Sequence, residues 1–394
     1  MVSQYLIDIV ERELSLRMDV SKQYTDNEFR TLVSDCVKQL SGRTVVQGDT
    51  EKELINIVFN SHRKLGIIQP FLDDPEVNEI MINGTEGIYI EKKGEIIRCE
   101  ERYNDASQLF NIIQSMVSWV NRSVNESSPI VDSRLADGSR VNVVLKPVAI
   151  NGPAVTIRKF SEKNFTMDEF VANGTLKSDE AEFLKQCVSA GVNIFVSGGT
   201  SSGKTTFLNV LASFADDSER IITIEDSAEL RLTQPNLVRL ETKNNNSEGK
   251  GEIDMRRLLK TALRMRPDRI IVGEVRDESA LDMLQAMCTG HEGSMSTAHA
   301  NSAEDTITRI ETMALWEGHI SADAVKKQIA SGLDLIVHLK RDTEMKRYVA
   351  EITEVTGYSE GKVCLNKLFL KGEAVGECVC EGKIREKLKR RKVG

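Results

Sequence analysis

No stretch of this sequence approaches the roughly 18 consecutive apolar residues that a membrane-spanning helix needs. The first residues, Met1 to Val10, carry Asp8 inside their apolar run and lack the organisation of a secretory signal. Positive charge is also in deficit: 52 lysines and arginines against 60 aspartates and glutamates give a formal net charge of -8. That field excludes nucleic acid binding through overall charge and confines any such contact to a local basic patch. Cysteines show no pairing pattern. Cys36, Cys99, Cys187, Cys288, Cys364, Cys378 and Cys380 are scattered and odd in number. Only Cys378 and Cys380 form a C-x-C, and no second pair or histidine cluster completes a zinc site. Reduced thiols, no zinc and residence in the cytosol are the expectation.

What the chain does contain is an ordinary globular mixture, 40% hydrophobic and 28% charged over 394 residues, enough for two or three domains. Residues 1–48 show helical spacing, with Tyr5, Leu6, Ile9, Val10 and Leu14 on one stripe. Phe29, Leu32, Val33, Val37 and Leu40 make another, and together they predict an N-terminal helical bundle. A helix carrying Leu54, Ile57, Val58 and Leu65 opens the next region, 49–165. Short alternating runs follow, separated by Asn83-Gly84, Lys93-Gly94 and Asp137-Gly138, which reads as a small α+β domain built on hairpins. Residues 166–177 read as a linker. From 178 to 345, strand and helix patterns alternate, implying a largely parallel sheet covered on both faces. Residues 346–394 read as a hairpin and a basic tail. The tail is expected to be solvated, with contact to anionic lipid as the alternative.

The strongest signal is Gly198-Gly199-Thr200-Ser201-Ser202-Gly203-Lys204-Thr205, which fits G-x-x-x-x-G-K-[S/T] without a mismatch. It follows a predicted strand, Asn193 to Ser197, and opens a predicted helix that begins with Thr206 past the motif. Glycines let the backbone wrap phosphates with its N–H groups inward, and the helix amino terminus adds partial positive charge. Lys204 suits the β- and γ-phosphates, and Thr205 suits Mg²⁺.

Hydrolysis further requires a group to place water and a group to steady the metal. Two predicted strands end in acids: Ile221 to Ile224 runs into Glu225-Asp226, with Glu229 one turn on, and Arg269 to Val272 runs into Gly273-Glu274. His299 ends a short run, Ser294 to His299, and His291 follows Thr289-Gly290; taken alone, either is more often structural than catalytic. Arg134, Arg140 and Arg158 lie in the preceding domain. A guanidinium there is either solvated or able to hold phosphate oxygens in pairs.

Together these segments resemble the secretion ATPases of the type II/type IV secretion superfamily, and most of all the CpaF-like motors of tight-adherence (Flp) pilus assembly. Ile222-Thr223-Ile224-Glu225-Asp226 matches the family's Asp box, Leu263 to Arg276 its atypical Walker B region, and Gly293 to Asn301 its His box. Asp132 to Asn142 and Thr156 to Phe160 match upstream. Ser227 stands where many type II relatives have proline, Asp277 where the Flp branch often has glycine, and Cys288 where it often has asparagine. The resemblance implies an α/β fold: a RecA-like P-loop ATPase domain preceded by a small α+β domain and an N-terminal helical bundle. It implies ATP and Mg²⁺ as ligands, with Glu229 polarising water, Glu274 and Thr205 supporting the metal, and His299 sensing the γ-phosphate. Lys204 and the loop, with Thr206, would hold the phosphates, and Arg134, Arg140 and Arg158 would clamp the nucleotide. It also implies a homo-hexamer that works on inner-membrane platform proteins at the cytoplasmic face. A motor of a type IV system that exports protein or DNA is the alternative within the superfamily. A GTPase is disfavoured because Asn366-Lys367 is followed by Leu368-Phe369 and not by x-Asp. A scaffold that binds nucleotide only to assemble stays open.

Overall fold

A computed structural model describes residues 2–19, 22, 24–41, 48–103, 105–118, 124–160, 165–243, 245, 251–316, 318–375, 380 and 382–393. The chain divides into two compact units, Met1–Glu162 and Lys163–Gly394.

The first unit begins with helices α1 (Gln4–Arg17), α2 (Asp26–Ser41) and α3 (Asp49–Arg63). Their apolar stripes close one core, in which Val10 and Leu14 meet Phe29, Val33 and Val37 and also Leu54 and Val58. Since α3 buries its stripe against α1 and α2, the bundle runs to Arg63 and not to the expected edge at residue 48. Tyr5, expected on the inner stripe of α1, is 70% exposed.

A 3-10 turn at Gly66–Ile68 leads to α4 (Gln69–Asp73) and three strands, β1 (Val77–Asn83), β2 (Gly87–Lys92) and β3 (Glu95–Arg98). Helix α5 (Ala106–Ser118) and strands β4 (Ile130–Arg134), β5 (Arg140–Val144) and β6 (Ala154–Arg158) complete the unit. The strands pair antiparallel in the order β3-β2-β1-β6-β5-β4. Lys93 and Gly94, with φ of 56° and 86°, form the two-residue turn whose twist suits a tight hairpin between β2 and β3. Leu109, Ile113 and Met116 of α5 pack on Ile80, Ile82, Val141, Val143, Val155 and Ile157, the inward set of alternating strands.

The second unit starts with α6 (Met167–Ala172) and α7 (Ser178–Ser189). It continues as β7 (Ile194–Gly198), α8 (Lys204–Ala212), β8 (Ile221–Glu225), β9 (Leu237–Glu241), α9 (Met255–Ala262), β10 (Arg269–Val272) and α10 (Ser279–Cys288). Then come β11 (Met295–His299), α11 (Ala303–Leu315), α12 (Ala322–Gly332), β12 (Leu335–Arg341), β13 (Arg347–Ser359), β14 (Lys362–Leu370), β15 (Glu373–Ala374) and α13 (Lys383–Val393). One sheet runs β15-β14-β13-β12-β7-β11-β10-β8-β9, parallel from β12 to β9 and antiparallel beyond β12. Successive strand residues face opposite layers: Ile194 and Val196 meet α7 and α8, while Phe195 packs with α9 to α12.

Three expectations change here. Residues 166–177 are not a bare linker: α6 is fixed by a capping box at Thr166 and Glu169, and Phe170 stacks on Phe207 of α8 at 5.5 Å. The hairpin β13–β14 is no appendage, because β13 pairs along β12 and extends the main sheet. Nor is the basic tail simply solvated. Ile384 is buried, and Lys383 Nζ donates to the carbonyls of Ala330, Ser331 and Leu333 at the end of α12. Lys383 and Lys387 also grip the two carboxylate oxygens of buried Asp334, at 2.9 and 2.8 Å. No helix among the described residues is long and apolar enough to cross a membrane.

Candidate functional site

Parallel strands send whatever follows them to the same edge of the sheet. The order β7-β11-β10-β8 therefore gathers four segments there: the loop after β7, His299 at the end of β11, Glu274 past β10, and Glu225 closing β8. The register aligns them, with His299 paired to Gly198 and Val272 to both Ser296 and Ile224.

The loop from Gly198 to Gly203 turns on the Gly199 carbonyl, which accepts from the Ser202 N–H at 3.4 Å. Gly198 has no room for a side chain, since a Cβ would lie 2.5 Å from the Leu339 carbonyl oxygen and 2.6 Å from Ser202 Oγ. Gly203 precedes α8 in the left-handed region at φ 90°, so Lys204 and Thr205 open the helix where unpaired N–H groups and the dipole favour an anion. Thr200 and Ser201 are exposed, and Thr205 and Thr206 half-buried, on the open side of the loop. Lys204 is buried, and its Nζ donates to the Gly199 carbonyl at 3.0 Å.

From Lys204 a chain of polar contacts crosses the strand ends. Its Nζ lies 3.3 Å from His299 Nδ1, and His299 Nε2 lies 3.0 Å from Glu274 Oε1. Arg276 donates to Glu274 Oε2 at 2.7 Å and approaches Asp226 at 3.8 Å. Burial, aided by the Lys204 charge and opposed by Glu274, holds the His299 imidazole below the usual histidine range. The ring is therefore neutral near pH 7, able to accept from the lysine.

Glu225 has a different task. It is buried, and its Oε1 accepts the backbone N–H groups of Glu229 and Leu230 at 2.8 and 2.9 Å. Burial pushes this carboxyl above the usual range, against the pull of those two bonds. The sequence placed Glu225 at a strand end without a role; the structure makes it the anchor of the Glu229 backbone. Arg276, which closes the Walker B match, likewise has no role legible in the sequence until the structure pairs it with Glu274. His291 stands apart, with Nδ1 3.2 Å from the Ala286 carbonyl at the end of α10, a packing role.

Arg134, Arg140 and Arg158 belong to the first unit. Cross-strand pairing sets Arg134 opposite Arg140, Arg140 opposite Arg158, and Arg158 opposite Glu79, one row over four strands. Glu79 answers Arg158 at 3.7 Å.

The oxygen donors Thr205 and Glu274 fit Mg²⁺, which takes one or two protein oxygens and completes its shell with phosphates and water. No group of three or more His, Cys, Asp or Glu able to hold a metal occurs among the described residues.

A phosphate-loop motif at the carboxyl edge of this parallel sheet defines a RecA-like P-loop ATPase fold, here preceded by an α+β sheet and a helical bundle. Residues 61–390 match the type II/IV secretion system protein family, to which the chain belongs. Among its relatives, the conjugal transfer protein TrbB of Rhizobium radiobacter is 33% identical over 290 residues, 73% of this chain and 86% of that one. The type IV secretion system protein VirB11 of Bartonella henselae is 31% identical over 329 residues, 73% of this chain and 91% of that one. The structure of the pilus retraction motor PilT with bound ADP shares the fold, with a TM-score of 0.55 and 22% identity over 83% of this chain and 86% of that one.

Proposed function

We propose that the chain is an ATP-hydrolysing motor of a secretion or pilus assembly machine, and that Lys204, His299 and Glu274 form its reaction centre. The observation that carries this reading is the continuous contact from the loop lysine through the histidine to the carboxylate. Backbone N–H groups of the loop and Lys204 bind the β- and γ-phosphates, and the half-buried Thr206 flanks them. Glu229, its backbone fixed by Glu225, orients the attacking water. Glu274 and Thr205 hold Mg²⁺, which when bound neutralises charge on the phosphate oxygens. His299 senses the γ-phosphate through Lys204 and Glu274. Arg134, Arg140 and Arg158 of the first unit supply a row of guanidinium groups suited to phosphate oxygens.

The motor works as a homo-hexamer on inner-membrane partners, from the cytoplasmic face. Within the superfamily, the Ser227 position and the upstream blocks support the CpaF-like Flp branch. The conjugal transfer and type IV secretion names of the relatives support the alternative, export of protein or DNA. The membrane protein that co-purifies with the chain separates these two. Phosphate release from ATP with Mg²⁺, measured beside the oligomer's mass with and without nucleotide, tests the motor itself. A monomer that releases no phosphate, even with its membrane partners, defeats it.

Acidification gives a second test. Below its depressed pKa, His299 becomes a second cation beside Lys204 and binds Glu274 as an ion pair. Turnover is therefore expected to be level near pH 7 and above, and to fall at a midpoint below about 6.5. In His299→Gln, which cannot take up the proton, that acid limb disappears. A limb that is unchanged in the variant assigns it to another group.

A further inference from the structure

Arg347 opens β13, outside every motif that marks the nucleotide site. Its Nε donates to the Ser201 carbonyl at 3.1 Å, bridging 146 residues of sequence. Its stem runs over Gly203, where an added Cβ would lie 3.2 Å from Arg347 Cδ. The hairpin explains the reach. Leu339 of β12 pairs with Gly198, and two residues on Arg341 pairs with Arg347, so the strand turns back directly beside the loop.

The contact falls on a demanding part of the backbone. Ser201 has φ of 58°, in the left-handed region that a residue with a Cβ disfavours and holds only with outside support. A trans peptide points its carbonyl and the next N–H in opposite directions. With the Ser201 carbonyl held by Arg347, the Ser202 N–H points the other way and donates to the Gly199 carbonyl at 3.4 Å. The same carbonyl receives Lys204 Nζ. Inward N–H groups are what such a loop offers a phosphate.

We propose that Arg347 is a positioning residue of the nucleotide site, which latches the Ser201–Ser202 peptide so that its N–H stays turned into the loop, where a phosphate oxygen can take the place of the Gly199 carbonyl. The inference rests on the reading that this loop binds ATP. Arg347 is exposed, so its removal opens no cavity in the core.

The test uses the full chain as wild type, Arg347→Ala, Arg347→Lys and, on the same hairpin, Lys346→Ala. Binding of fluorescently labelled ADP and the KM and kcat of ATP hydrolysis are measured for each. Loss of one such hydrogen bond predicts a rise of about tenfold in Kd and KM for Arg347→Ala, with kcat changed less than about twofold. Arg347→Lys, which keeps a cationic donor, recovers most of the affinity, and Lys346→Ala matches wild type. Wild-type affinity and KM in Arg347→Ala overturn the latch while leaving the ATPase reading intact. An equal loss in Lys346→Ala also overturns it, by assigning the effect to the hairpin as a whole. A wild-type protein that binds neither ADP nor ATP overturns the ATPase reading itself.

Discussion

Lys204→Ala is expected to lower kcat/KM for ATP by a factor of about 100 to 1000, the usual loss when one preorganised charge donor leaves a transition state. The size of the effect follows from burial. Lys204 is 7% exposed and held at once by the Gly199 carbonyl and His299, so its ammonium is fixed before nucleotide arrives. Arginine does not replace it, because a planar fork cannot occupy the space of a compact ammonium. Glu229→Gln should behave differently. Glu225 holds the Glu229 backbone and not its carboxylate, so the segment keeps its place in the variant. Nucleotide affinity then stays near wild type while kcat collapses, the split expected of a group needed only in the chemical step. Phosphate release under saturating ATP, with labelled-ADP binding in parallel, distinguishes the two patterns. If both variants turn over within a factor of about three of wild type, the reaction centre is elsewhere.

Much of the proposed centre is legible in the chain because its parts are contiguous. The loop, its leading strand and its helix occupy Ile194 to Ala212 without interruption, and Glu225 and Glu274 follow their apolar runs by one and two residues. What could not be read was which strand lies beside which. The order β7-β11-β10-β8 brings Lys204, His299 and Glu274 within contact across 95 residues of sequence, and no local pattern encodes that order. Arg347 is hidden for the same reason: an arginine after a turn looks solvated until β12 is known to run beside the loop.

The misread segments share one cause, tertiary partners overriding local composition. Residues 166–177 are short and polar enough to read as a linker, yet Phe170 is sandwiched between Phe165 and Phe207 at 5.6 and 5.5 Å. The tail from Lys383 reads as solvated charge because Ile384 and Leu388 are the only apolar residues before Val393. Those two are four apart, on one helical face, and both pack on the core. The counter-charge that fixes the tail, Asp334, lies some fifty residues away in sequence.

That carboxylate carries the largest stability effect expected in the second unit. Asp334 is 1% exposed and accepts from Lys383 Nζ at 2.9 Å, Lys387 Nζ at 2.8 Å and the Asn193 backbone N–H at 2.9 Å. Removing it leaves the Lys387 ammonium, whose side chain is 10% exposed, with the Gly191 carbonyl at 2.8 Å and the more distant Glu292 carboxylate at 3.7 Å, and takes the acceptor from the buried Asn193 N–H. Loss of one partner of a buried pair costs about 3–5 kcal/mol, so Asp334→Ala should lower the denaturant midpoint of the second unit by a corresponding amount. Lys383, a third exposed and still bonded to three carbonyls, is a smaller loss. The double variant Asp334→Ala, Lys387→Met should regain much of the deficit, because it removes the ammonium along with its partner. A guanidinium unfolding series on the wild type and both variants reads this directly. If Asp334→Ala unfolds at the wild-type midpoint, the tail is not held by this pair, and its basic residues are free for other contacts.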